Sequence, residues 1–320
     1  MPLNPFEPTA LVAARALVGL LQIPTASAGG LDRRYQSLGA LVASVGSMQS
    51  AVEALRAGRV DWLIDVGLFT AAHIDEALHS AARDIAGWEA AGLSATAFGE
   101  ADYPAQLEQI ADAPPILFWQ GSHSAIEGPG VAVVGTRKAS SEGERRAERA
   151  VRALVEKDLV IFSGLAIGID AAAHRAALKA GGRTVAVMGT PITRRYPAAH
   201  RGLADDIVAS GGSLVSEYLP SKVTAPWDFL RRNKTMSGLA LVTLVIEAGA
   251  TSGAKSQAEA ALKHGRSVFL AESLVRAHRW AANLVEEGLN GVRPLVLRDP
   301  AELADILAGR IEESSSAISL

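Results

Sequence analysis

The chain contains no cysteine. That excludes disulfides, thiolate metal sites and cysteine nucleophiles. Aromatic residues are scarce, at 5%, so ring stacking can only supplement charge in any ligand contact. No apolar run reaches the roughly 18 residues that a membrane-spanning helix needs. The opening MPLNPFEPTA lacks the basic segment of a secretory leader, which makes the cytoplasm the expected location. A large excess of one charge is missing too: 31 Lys and Arg face 34 Asp and Glu, giving a net charge of −3. By itself that balance argues against a nucleic-acid binder.

The charge is nevertheless uneven. Residues 1–130 carry 6 basic and 14 acidic side chains, a balance of −8, whereas residues 131–320 carry 25 and 20, a balance of +5. Such asymmetry is a hint of nucleic-acid interaction, although a solvated surface would give the same count. With 320 residues, 49% of them apolar and 20% charged, a globular protein of two domains is expected.

Residues 9–90 read as helices, because LVAARALVGLLQI, SLGALVASV and AVEALRAG place apolar residues three to four apart. Pro24 and Gly29–Gly30 interrupt them. Residues 91–130 form a connector. Its Pro114–Pro115 pair cannot lie inside a helix, and its ILFWQG reads as a short edge strand. From Val131 onward the strand-like runs VAVVG, LVIFSG, RTVAVMG, GSLVSE, LALVTLVIEA, RSVFLA and RPLVLR alternate with helical segments, among them 142–156, 171–180, 203–210 and 254–264. Continuous Val/Ile/Leu runs between amphipathic helices predict an α/β fold, a mostly parallel sheet covered on both faces. A C-terminal helix after about residue 300 is expected to end in a frayed tail, EESSSAISL.

In such sheets ligands sit beyond the carboxyl ends of the strands, so the residues following each strand are the site candidates. Gly135, Thr136, Arg137 and Lys138 follow the first parallel strand; Ser163, Gly164, Gly168 and Asp170 follow the second. Both turns open helices, and backbone N–H groups at helix N-termini bind phosphate. The glycines would let a ligand approach the backbone; the plainer reading is a capped helix with surface cations. His174 lies four residues beyond Asp170, on the same helical face. That pair suits acid–base work, a metal, or a hydrogen bond that orients the loop, and no third ligand or nucleophile accompanies it. Arg194 and Arg195 beside Tyr196 suit phosphate contact and base stacking, as does Trp227. Arg231, Arg232, Asn233 and Lys234 are consecutive and cannot share one helical face. Glu247, Ser252 and Gly253 belong to a third Gly/hydroxyl turn.

The series GTRKAS, SGLAIGIDAAAH, GGRTVAVMGTPITRRYP, SEY, FLRRNKTMSGL and VIEAGATSG resembles the DprA/Smf family of DNA-processing proteins of bacterial natural transformation. The likeness covers about residues 100–270, and it implies an extended Rossmann-like domain over residues 131–300. Ahead of that domain would stand a small helical N-terminal domain over residues 1–90 and the lead-in over residues 91–130; residues 301–320 would follow as helix and tail. It also implies a homodimer that binds single-stranded DNA, protects it and loads a RecA-type recombinase. Gly135, Thr136, Arg137, Ser163, Gly164, Gly168, Arg232, Asn233, Lys234, Ser252 and Gly253 would line the pocket, with Asp170 and Glu247 organising loops. The pattern departs from the family at Ile167, where a cation is frequent, and at VFLAESL, where Pro-Gly is usual.

Two function classes follow. One is a binding module without a chemical step, cofactor or metal, in which Arg137, Arg194, Arg195, Arg231, Arg232 and Lys234 neutralise phosphates. The other is a small-nucleotide pocket, either a sensor of the SLOG type used in phage defence or an enzyme cleaving the N-glycosidic bond of nucleoside monophosphates. Glu247 or Asp170 would then serve as the working carboxylate.

Overall fold

The computed structural model describes residues 71–318, and residue 50 before them. The helices expected over residues 9–70 otherwise lie outside that range. The chain divides into two compact units, Met1–Gln120 with Glu217–Lys222, and Gly121–Ser216 with Val223–Leu320.

In the first unit, helix α1 (Ala71–Ala90) leads into strand β1 (Leu93–Ala97), the short helix α2 (Ala105–Glu108) and strand β2 (Ile116–Gly121). The ILFWQG segment has a partner on the side where an edge was expected: β1 pairs with it antiparallel, Leu93 opposite Gln120. The sequence LSATA hides this strand because its small residues carry little β-pattern. Ile116–Trp119 are wholly buried. Trp119 donates its indole N–H to Thr96 Oγ1 at 2.9 Å, and Trp88 meets Phe118 edge-on at 5.5 Å.

The second unit alternates strand and helix: β3 (Gly130–Val134), α3 (Ser141–Glu156), β4 (Val160–Ser163), α4 (Ile169–Lys179), β5 (Thr184–Val187), α5 (Arg201–Ala209), β6 (Ser213–Ser216), α6 (Asp228–Leu239), β7 (Val242–Val245), α7 (Gly253–Lys263), β8 (Ser267–Ala271), α8 (Glu272–Ala277), α9 (Arg279–Glu287), β9 (Leu295–Leu297) and α10 (Leu303–Ile318). The helix α10 continues through serines that the sequence reads as a tail. The strands of this unit lie in the order β6-β5-β4-β3-β7-β8-β9, and every pairing registered among them is parallel. The chain steps outward from β3 to β6, then returns to place β7 beside β3. The carboxyl ends of β3 and β7 therefore flank the switch point, where this class of sheet opens a crevice.

Alternation along the strands assigns the two faces. Val131 and Val133 of β3, with Val242 and Leu244 of β7, pack under α3, α4 and α10 against Ala147, Val151, Ile169, Ala173 and Leu303. The intervening Thr243 points the other way, toward Gln257 of α7. Helix α3 illustrates the local logic. Ser140 caps it by accepting from Gly143 N at 3.0 Å, Glu142 and Glu144 occupy its first turn, and Ala147, Ala150, Val151 and Leu154 form its buried stripe.

Candidate nucleic-acid interface

A cavity of about 890 Å³ opens at the switch point. Gly135, Thr136, Arg137 and Lys138 reach it from the turn after β3, Asp170 from α4, and Arg194 and Tyr196 from the loop after β5. Arg232 and Asn233 reach it from α6, and Ser252 and Gly253 from the start of α7. The spacing on α6 is that of one helical face: Phe229, Arg232, Asn233 and Met236 all line the cavity. Arg231 and Lys234 fall on the other side of the helix and do not line it.

The turns at the crevice are tied to one another. Thr136 N–H donates to the Glu247 carbonyl at 2.6 Å, and Thr136 Oγ1 accepts from Lys138 N at 3.1 Å. The Glu247 carboxylate accepts from both the N–H and the hydroxyl of Ser140, each at 3.1 Å. Gly164 N–H donates to the Asp170 carboxylate at 3.2 Å, and Ile169 N–H to the Thr136 carbonyl at 3.3 Å. The amides that the sequence offers as a phosphate shelf are thus largely spent inside the protein. The accessible positive charge lies on side chains at the rim, where Arg137, Lys138 and Arg194 are exposed.

The glycines have a corresponding use. A Cβ on Gly164 would lie 2.2 Å from Arg232 Nη1, one on Gly135 would lie 2.4 Å from Ile169 Cγ1, and one on Gly168 would lie 2.3 Å from the Thr136 carbonyl oxygen. Gly168 also sits at φ +85°, which disfavours any side chain. These glycines admit protein rather than ligand. Gly253 differs, since a Cβ there would meet open space.

Ser163 is buried and donates its hydroxyl to the Val133 carbonyl at 2.7 Å, away from the cavity. Arg195 turns inward, donating to the Ile192 carbonyl and lying 3.8 Å from the Asp205 carboxylate. His174 reaches the Ser163 backbone, where the loop after β4 begins. Its Nδ1 lies 2.8 Å from Thr184 Oγ1 on β5. Thr184 gives its own proton to the Ile161 carbonyl at 2.9 Å, so His174 Nδ1 is the donor. His200 also reaches that loop, with its Nδ1 2.8 Å from the Leu165 carbonyl. The Asp170 carboxylate accepts from Gly164 N and that of Glu247 from Ser140, each across a turn at the crevice.

Arg232 is buried, and donates through Nη1 to the carbonyls of Gly164 at 2.9 Å and Val187, and through Nε to Asn233 Oδ1 at 3.2 Å. Asn233 passes the chain on, donating to the Gly253 carbonyl at 3.1 Å. Burial pushes the Asp170 carboxyl above the usual carboxylate range, against the pull of Arg232 and of the Ala166, Gly135 and Gly164 amides. Burial, with the charges of His200 and Arg232, depresses the His174 imidazole to about 3.

Apolar residues complete the site. Phe229 has Arg137 over its ring at 5.7 Å and Tyr196 tilted against it at 5.4 Å. Ile167, Trp227 and Leu230 are each more than half exposed; Leu230 lines the cavity. Sequence reasoning passed over Phe229, Met236, Gln257 and Thr224. The three-to-four spacing about Arg232 and Asn233 holds the signal for the first two. Among the described residues no group of three or more His, Asp or Glu side chains is placed to hold a metal, and no helix is long and apolar enough to cross a membrane.

A parallel sheet with a cation-rimmed, aromatic-walled crevice at its switch point defines a Rossmann-like α/β protein. Comparison with known proteins narrows the class. The family model of DNA recombination-mediator protein A matches residues 94–292, and the chain belongs to that family. The DNA processing protein DprA of Streptococcus pneumoniae is 42% identical over 167 residues, which is 52% of this chain and 58% of that protein. An X-ray structure of DprA from the same species superposes with a TM-score of 0.64 at 28% identity, covering 93% of this chain and 95% of that one. The DNA processing protein A of Helicobacter pylori, described for its single-stranded DNA binding mode, shares the fold, with a TM-score of 0.60 at 23% identity over 68% of this chain and 96% of that one. The chain spans about half the length of the curated relatives it matches.

Proposed function

We propose that this chain binds single-stranded DNA without sequence preference in its phosphate contacts, and acts on it as a cytoplasmic homodimer that protects the strand and passes it to a RecA-type recombinase. The observation that carries the reading is the meeting of exposed Arg137, Lys138 and Arg194 with the Phe229 and Tyr196 rings at one crevice. Cations suit the backbone and rings suit unpaired bases, which is the pairing that single strands require. Family membership supports the DNA-processing role, and the Helicobacter pylori relative is described as a single-strand binder.

Fluorescence anisotropy with labelled single- and double-stranded oligonucleotides at several salt concentrations tests the reading. The expected result is tight binding to the single strand, weakening with salt by a log–log slope of about −0.7 per phosphate contacted. Absence of binding at low salt would pass the crevice to a small nucleotide, the sensor or N-glycosidase reading. The Glu247 carboxylate, bound to Ser140, is poorly disposed to be the acid or base of such an enzyme.

A further inference from the structure

Ile167 is a branched apolar side chain on the turn between β4 and α4, and it is 52% exposed. The turn beneath it is fixed by the protein. Leu165 sits in the left-handed region at φ +58°, as does Gly168 at φ +85°. The Leu165 carbonyl lies 2.8 Å from His200 Nδ1. Ile169 N–H donates to the Thr136 carbonyl at 3.3 Å, and Ala171 N–H to the Ala166 carbonyl at 3.1 Å. A β-branched side chain has few rotamers to lose, so Ile167 presents its apolar surface with little freedom left.

One exposed isoleucine would carry no meaning by itself. Ile167, however, borders a recess of about 40 Å³ together with Tyr196, Pro197 and Phe229. Tyr196 is 44% exposed and tilts against Phe229 at 5.4 Å. Arg137 lines both this recess and the main cavity. The charge around the apolar ledge has one sign. Arg137, Lys138 and Arg194 are exposed. The one carboxylate among the described residues that line either space is Asp170, which is buried and accepts from Gly164 N–H. Apolar surface beside cations, with no exposed carboxylate, suits a polyanion that carries flat, weakly polar faces. A duplex keeps such faces stacked inside it, whereas an unpaired strand offers them.

Resting on the single-strand reading above, we propose that Ile167 is a specificity-determining residue: the face of one unpaired base rests on it, beside Tyr196, while Arg137 meets the adjoining phosphate. The recess is too small to enclose a base, so the contact is a ledge and not a slot. It uses no hydrogen bond, and it therefore reads whether a base is unpaired and not which base it is. Its contribution is apolar burial, which salt does not screen as it screens the exposed rim cations. Ile167 thus adds to the preference for single strand over duplex and not to the salt dependence.

The test is anisotropy of the full chain with labelled oligo-dT, an abasic strand of equal length and a duplex of equal length, at several salt concentrations. Ile167→Ala is expected to weaken oligo-dT binding about four- to fifteenfold, the equivalent of one to two methylene groups left in water. Its salt slope and its affinity for the abasic strand and the duplex stay at the wild-type values. Ile167→Lys, which exchanges the apolar face for a cation, steepens the slope by about 0.7 and tightens binding of the abasic strand. Unchanged oligo-dT binding in Ile167→Ala overturns the proposal. So does an equal loss for the abasic strand, which would mean that the substitution disturbs the turn and removes no base contact. An acidic, aromatic peptide that displaces oligo-dT more effectively than unlabelled oligo-dT does, and loses that advantage in Ile167→Ala, would give the ledge to a protein partner and overturns it as well. If wild type binds neither oligo-dT nor the abasic strand, the single-strand reading itself fails, so the two failures are distinguishable.

Discussion

The guanidinium of Arg232 donates to the carbonyl oxygen of Gly164 at 2.9 Å, and a methyl group on Gly164 would stand 2.2 Å from the donating nitrogen. The arginine and the glycine form one unit at the carboxyl end of β4. Arg232 is thereby a member of the fold more than of the ligand surface.

Arg232→Met is expected to lower stability by about 3–5 kcal/mol, because it leaves the buried carbonyls of Gly164 and Val187 without their donor and withdraws a positive charge from the surroundings of the buried Asp170 carboxyl. Gly164→Ala displaces only the end of the arginine and is expected to cost less, about 1–3 kcal/mol. Lys234→Ala, on the exposed side of α6, is expected to stay within about 0.5 kcal/mol. Urea denaturation of the three variants gives the order; equal midpoints for Arg232→Met and Lys234→Ala would refute it.

Arg137→Ala and Arg194→Ala should leave stability nearly unchanged and weaken single-strand binding about equally for all sequences. Each is expected to reduce the steepness of the log–log salt dependence by about 0.7. Anisotropy titrations at four salt concentrations measure the slopes. A slope that stays at the wild-type value would remove that residue from the interface.

Trp227 is 57% exposed at the start of the helix that carries Phe229. Its fluorescence is expected to be quenched when a single strand binds, and Trp227→Ala to cost about 1–3 kcal/mol of affinity. An emission change on binding that is identical in Trp227→Phe would show that another indole reports it.

His174 makes stability depend on pH. Its folded value, about 3, lies below the ~6.5 of an unfolded imidazole. Between those values the unfolded chain binds more protons, so the stability present above pH ~6.5 is lost as pH falls toward 3. The size is on the order of a few kcal/mol. Denaturation midpoints between pH 7 and 4 are expected to fall less in His174→Gln than in wild type; parallel profiles would exclude this imidazole as the cause.

The seven parallel strands were legible because each falls within a short run rich in Val, Ile or Leu between amphipathic helical segments, and β1 escaped because LSATA is built of small residues. The crevice was legible by position, since residues after β3, β4 and β7 meet there by topology alone. What sequence could not supply was the direction in which small and charged residues face. Gly135, Gly164 and Gly168 look like room left for a ligand, yet the room is filled by Ile169, Arg232 and a backbone carbonyl. Arg232 and Arg195 look like ligand cations, yet their donors meet carbonyl oxygens. Tertiary neighbours decide such roles, and those neighbours lie tens of residues away in the chain.

Glu247 grips Ser140 with its side chain and Thr136 with its carbonyl, so the ends of β3 and β7 and the start of α3 are fixed to one another by protein alone. Under the proposed function, a strand arriving at the crevice would meet turns already set at the ends of β3 and β7. Little conformational entropy of the loops is then lost on association, and the speed of capture is governed by encounter and by attraction to the rim cations.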